Sequence, residues 1–120
     1  MSPEQRDPAY PWDMMVAAER IVAYVGDASC REYLSDDMTR DAVERNLITI
    51  GEVARKLSRE FQQAHPEMPL GMIVGLRNVV VHEYGKVDHK RVWGIVSKHI
   101  PALIEQLKPL VPPVPPEEPE

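Results

Sequence analysis

The chain has 120 residues, a formal net charge of −5 and a single cysteine. That length suits one domain with one core, and the acidic balance disfavours an unaided, non-specific nucleic-acid binder, which is usually basic. One cysteine excludes an internal disulfide and fits a reducing compartment, with Cys30 read as a small part-buried hydrophobe.

Residues 1–9 are polar, carry Pro3 and Pro8, and read as loose. Pro11 then opens a first helix, with Asp13 in its first turn, where a carboxylate suits the helix dipole. Met14, Ala18, Ile21 and Val25 form its apolar stripe, and Gly26 is placed to end it. Residues 27–37 form a connection in which Arg31–Leu34 can make a helical turn. Thr39 is the expected N-cap of the second helix. There Val43, Leu47, Ile50, Ala54, Leu57 and Phe61 recur at alternating four and three, opposite Arg40, Glu44, Arg45, Glu52, Arg55, Lys56 and Arg59. This pattern predicts one helix over about 40–63.

Pro66 and Pro69 bracket a turn into the most apolar stretch, Gly71–Tyr84. A buried strand would show a similar run, and Gly71, Gly75 and Val79-Val80-Val81 weaken a helix. The helical patterns on both sides favour a helix, with Ile73, Leu76 and Val80 on one face. Such a segment is apolar nearly all round, which suits the centre of a bundle or one wall of a subunit interface. Asp88 is the expected N-cap of a last helix with Val92, Val96, Ile100, Leu103 and Leu107 as its stripe, and Pro101 predicts a kink or short break in it. From Pro109 on, half the residues are proline, so residues 109–120 are expected to form a disordered tail behind a single domain over 1–108. With no strand-period segment, the fold class expected is all-α, an antiparallel bundle of four main helices. No apolar run approaches the ~20 residues of a membrane span. The N-terminus lacks a basic region followed by an apolar core. A cytoplasmic location with no membrane contact is therefore expected.

Most familiar chemical motifs are missing. His82-Glu83 is not a zinc motif, because Lys86 stands where the second histidine belongs. There is no cysteine pair and no phosphate-binding glycine loop, and His65, His89 and His99 have no second ligand at usual spacing, so they read as surface or capping histidines. What remains is Arg77, Asn78, His82 and Tyr84 on the apolar segment. A guanidinium there needs a carboxylate, backbone carbonyls or a bound anion, and Glu52 of the second helix is a candidate partner. Histidine titrates near neutrality, and arginine stabilises charge on a phosphoryl group. Without a metal, the pair suits cleavage of RNA by its own 2′-hydroxyl. His82 would take the 2′-OH proton or protonate the leaving 5′-oxygen, Arg77 would hold the pentavalent phosphate, and Asn78 would orient either. On a continuous helix, positions 77 and 82 lie roughly 140° apart. They converge only if the helix unwinds near His82 or a second subunit completes the site. On spacing alone, a salt-bridged arginine and a helix-capping histidine explain the motif more simply.

Arg77-Asn78-x-x-x-His82-x-Tyr84 resembles the signature of the HEPN superfamily, in the Arg-x4-His-x-Tyr form of HepT-like toxins. Asp41–Leu47, Ile50-Gly51-Glu52 and Leu57–Phe61 resemble that family's long second helix, His65–Pro69 its connection, and Val87-Asp88, Val92-Trp93 and Ile100-Pro101 its last helix. The resemblance covers roughly residues 24–107. It implies a HEPN-like, homodimer-forming helical domain that acts as a metal-independent endoribonuclease and as the toxin of a toxin–antitoxin pair. Arg77 and His82 would be catalytic and Asn78 supporting, with RNA as substrate and no cofactor or metal. The partner implied is a minimal nucleotidyltransferase (MNT) antitoxin that uses ATP to place AMP on Tyr84, giving O-AMP-tyrosine. Two other readings are a non-catalytic HEPN module that binds a nucleotidyltransferase or a nucleotide, and a helical dimer in which Arg77 only bridges subunits.

Overall fold

The computed structural model describes residues 9–82 and 87–111, and every described element is helical. In chain order these are α1 (Ala9–Val25), α2 (Cys30–Leu34), α3 (Asp37–Lys56), α4 (Arg59–Ala64), α5 (Leu70–His82) and α6 (His89–Leu107), followed by a 3-10 turn over Lys108–Leu110. The all-α expectation holds, and α1, α3, α5 and α6 are the four main helices. None of them is long and apolar enough to cross a membrane.

Helix α3 is the centre of the packing. It lies against α1 on one side and α5 on the other, and α1 in turn packs on α6. The stripe Val43, Leu47, Ile50, Ala54, Leu57 and Phe61 is buried in full. It meets Met14, Ala18 and Ile21 of α1, Ile73, Leu76 and Val80 of α5, and Val92, Val96, Ile100, Leu103 and Leu107 of α6 in one core. Val25 is only partly buried, and Met15 and Ala17 widen the α1 face. Gly26 adopts φ 53°, the left-handed conformation that ends α1.

Two expectations about helix ends need correction, and the short break allowed for at Pro101 is absent. Helix α3 starts three residues earlier than Thr39 would set it. Asp36 is its cap, with one carboxylate oxygen accepting from the Thr39 backbone N–H at 3.1 Å and the other from its hydroxyl at 2.7 Å. It also stops at Lys56. Leu57 is extended (φ −69°, ψ 138°), and Ser58 caps a separate helix α4 by accepting from the N–H of Phe61. The apolar stripe runs straight across this break because Leu57 and Phe61 both face the core. In α6, the helix continues through Pro101 to Leu107. Proline removes one N–H donor, but Pro101 faces solvent while Ile100 and Leu103 are fully buried. Burial on the inner side holds the turn, and the freed carbonyl of Ser97 can be hydrated. Beyond α6, Leu110 and Val111 rest against the core, and the remaining tail lies outside the described residues.

The short helix α2 opens with a capping box. Ser29 Oγ accepts from the N–H of Glu32, and the Glu32 carboxylate accepts from the N–H of Ser29. Half-buried Cys30 is its first residue. This helix places Tyr33 wholly inside the bundle, tilted against Trp93 with ring centroids 5.4 Å apart. Burial, and then the charge of Glu44, pushes the Tyr33 hydroxyl up to about 12. Its oxygen has no hydrogen-bond partner among the described residues. A buried orphan hydroxyl costs stability, so Tyr33→Phe should leave the protein as stable or raise stability by up to ~1 kcal/mol. Urea denaturation checks this, and a clear loss would mean that the hydroxyl is bonded after all.

Candidate functional site

The site is built where α5 crosses α3. Glycine at position 51 lets the two helices approach closely. A Cβ there would sit 2.4 Å from Arg77 Cβ and 2.7 Å from Arg77 Cγ. The stem of Arg77 therefore lies directly on the α3 backbone. Its guanidinium is held at the rim with the side chain 15% exposed. Nη1 donates to Asn78 Oδ1 at 3.0 Å, and Nη2 pairs with Glu52 Oε1 at 3.7 Å. Nε is buried with no partner among the described residues. Glu52 is thus the carboxylate partner foreseen for Arg77. The ion pair is long, and the Glu52 side chain is about half exposed, so it leaves the guanidinium free to take another acceptor.

Arg77 opens onto a pocket of ≈ 390 Å³ shared with Glu52, Arg55 and Lys56. Arg55 and Lys56 stand on the surface of α3 that the sequence pattern reads only as a solvated face. Their distances along the chain from Glu52, three and four residues, were the one sign that they share its side of the helix. Gly51 was also legible only as an isolated helix glycine, a feature that marks close approach or a weak helix alike.

The structure brings Arg77, Asn78 and Glu52 together. Helix α5 stays helical as far as His82, so the chain does not unwind before that residue, and positions 77 and 82 lie roughly 140° apart around one axis. The His82 side chain, and Tyr84 entirely, lie outside the described residues.

Helix α5 is not the enclosed centre of the bundle. Ile73, Leu76 and Val80 are buried, but Gly71, Gly75 and Asn78 are exposed and Val81 is 38% exposed. Between α5 and α6 the described residues leave a groove of ≈ 460 Å³, floored by Met72, Leu76, Val79, Val87 and Val92.

His65 and His89 have local roles. His65 stacks on Phe61, with centroids 4.5 Å apart, and lies 3.5 Å from Glu67. His89 Nδ1 approaches Glu44 Oε2 to 3.0 Å without the alignment of a hydrogen bond. Burial raises the Glu44 carboxyl above its usual range, and nearby His89 partly opposes the shift. This contact ties the start of α6 to α3.

The family model described as "Ribonuclease HepT-like" matches residues 7–110. A protein of Methanocaldococcus jannaschii, named provisionally as an RNase, is 30% identical over 83% of this chain and 92% of its own length. The protein of Thermococcus cleftensis named probable ribonuclease HepT is 32% identical over 78% of this chain and 86% of its own. A Caldanaerobacter subterraneus protein, also named provisionally as an RNase, is 31% identical over 78% of this chain and 83% of its own. No solved structure was found to match. With its all-α fold and its Arg77-x4-His82-x-Tyr84 motif on and just beyond α5, the chain belongs to the HepT-like ribonuclease family, of the HEPN type.

Proposed function

We propose that the chain is the toxin of a toxin–antitoxin pair, an endoribonuclease that needs no metal and works as a homodimer. The observation that carries this reading is the arrangement of Arg77. Its guanidinium is fixed at a pocket rim by Gly51 packing and by Asn78, yet only loosely neutralised by Glu52. A group held this way is organised in advance for an incoming phosphate.

In the reaction, the 2′-oxygen attacks phosphorus and the bond from phosphorus to the 5′-oxygen breaks. His82 removes the 2′-OH proton or supplies one to the leaving oxygen, and Arg77 holds the charge that builds on the phosphoryl oxygens. The products carry a 2′,3′-cyclic phosphate and a free 5′-hydroxyl. Helical backbone as far as His82 keeps positions 77 and 82 on different sides of α5. A second copy supplies the complementary half, and the incompletely covered outer side of α5 is the surface that it would use.

Silencing would act on the same arginine. The minimal nucleotidyltransferase antitoxin transfers AMP from ATP to the Tyr84 oxygen, and pyrophosphate leaves. An AMP on Tyr84 of the same motif would add a negatively charged phosphodiester that competes for the guanidinium and repels RNA.

The test is RNA cleavage in excess EDTA with analysis of the product ends. The wild-type protein should give cyclic phosphate and 5′-hydroxyl ends, and His82→Ala should give none. Cleavage by His82→Ala at the wild-type rate, or products with 5′-phosphates, would rule the mechanism out. Intact-mass spectra of the protein made with and without a minimal nucleotidyltransferase test the switch. A gain of one AMP or a small multiple mapped to Tyr84 is expected only with the partner.

A further inference from the structure

We propose that Arg55 and Lys56 bind a second phosphate of single-stranded RNA, adjacent to the one held by Arg77. This rests on the RNA-cleaving reading above and extends it to how the strand is held. Glu52, Arg55 and Lys56 lie at i, i+3 and i+4 on α3, one face of one turn, and that face meets Arg77 across the shared pocket. Three cations thus line the pocket with one carboxylate, in a chain whose net charge is −5. Glu52 pairs only loosely with Arg77, at 3.7 Å, and offsets one of the three charges. No described carboxylate forms an ion pair with Arg55 or Lys56. A locally cationic pocket on an acidic protein is placed to attract a polyanion.

Arg55 also borders a second recess, of ≈ 340 Å³, floored by Ala54, Leu70, Gly71 and Val74 with Gln62 at its side. The cationic pocket and the more apolar recess share Arg55 as their common wall. That pairing matches a nucleotide, with phosphate on one side and base or sugar on the other. An acidic peptide would use the charges and leave the recess empty. In-line attack by a 2′-oxygen needs a nucleotide free to turn out of a duplex, which favours a single strand. Arg77 would hold the phosphate that reacts. Arg55 and Lys56 would hold its neighbour and fix the strand's direction, which makes them positioning residues.

The experiment uses the full-length His82→Ala protein, to prevent turnover, and a short fluorescent single-stranded RNA titrated at several salt concentrations. Adding Arg55→Ala and Lys56→Ala should weaken binding about tenfold or more and flatten the salt dependence by about 1.4, the value for two lost single-strand contacts. The control pair Arg20→Ala and Lys98→Ala removes two exposed cations from α1 and α6 and should change affinity less than about twofold. In otherwise active protein, the Arg55/Lys56 change should raise KM far more than it lowers kcat. Equal behaviour of the two double variants overturns the proposal, as does a failure of His82→Ala protein to bind RNA at low salt. So does normal RNA binding with loss of binding only to the nucleotidyltransferase. If the wild-type protein binds RNA through Arg55 and Lys56 but does not cleave it, the catalytic reading fails and this one stands. If it cleaves and the double variant binds normally, this one fails alone.

Discussion

Arg77→Met is expected to lower kcat for RNA cleavage by about 10²–10³-fold, the usual cost of losing one prearranged stabiliser of transition-state charge, while leaving the fold intact. Methionine keeps the aliphatic stem that lies on Gly51 and removes only the guanidinium. The stability change should be small for a physical reason. The ion pair to Glu52 is long, at 3.7 Å, and its carboxylate partner is about half exposed, so it contributes at most ~1 kcal/mol. The guanidinium also carries a buried Nε with no described partner, and losing that group removes a cost. A residue kept for stability would show the reverse pattern. Arg77→Lys keeps the charge but not the planar fork, and should recover only part of the rate. Single-turnover kinetics beside thermal unfolding separate the two effects. If Arg77→Met keeps more than about a tenth of the wild-type rate, Arg77 does not hold the reacting phosphate.

Much of the fold was legible because burial leaves a periodic mark. The stripe from Val43 to Phe61 and the stripe of α6 are buried as their spacing indicates. What periodicity could not show was chain breaks that preserve it. Leu57 and Phe61 keep their spacing on either side of the Ser58 cap, so α3 and α4 read as one helix. The caps at Asp36 and Ser29 depend on local hydrogen bonds for which several nearby residues were chemically eligible. At the site, Arg77 was legible as a charge on an apolar helix that needs a partner, with Glu52 a candidate for it. Arg55 and Lys56 looked like ordinary surface cations, because a sequence does not say which exposed faces meet across a groove. The all-round apolar character of α5 suggested two covered sides. Among the described residues of one chain, the α3-facing side and its flank are the covered ones.

Gly51→Ala should damage both stability and catalysis, although alanine is the better helix former. The added methyl would lie 2.4 Å from Arg77 Cβ and 3.4 Å from the carbonyl oxygen of Ile73. Carbon atoms settle near 3.5–4.0 Å, so α3 and α5 must separate by about 1 Å. No rotamer of Arg77 avoids this, because the clash involves Cβ, which is fixed by the backbone. Helix propensity returns about 0.8–1 kcal/mol against an overpacking cost of about 1–3 kcal/mol, which leaves a net loss of up to about 2 kcal/mol in an α3-to-α5 contact that buries Ile50 and Ile73. The larger effect is on rate. A shift of ~1 Å in a group that must meet a reacting phosphate can cost about 10²-fold. Gly94→Ala is the matched control. It sits on the exposed side of α6 with nothing within 4 Å of the added Cβ, so it should gain up to ~1 kcal/mol from propensity alone and keep full activity. Thermal unfolding and initial cleavage rates of the two variants decide the matter. If Gly51→Ala gains stability as Gly94→Ala does and cleaves RNA at the wild-type rate, close packing of α5 on α3 is not what positions Arg77.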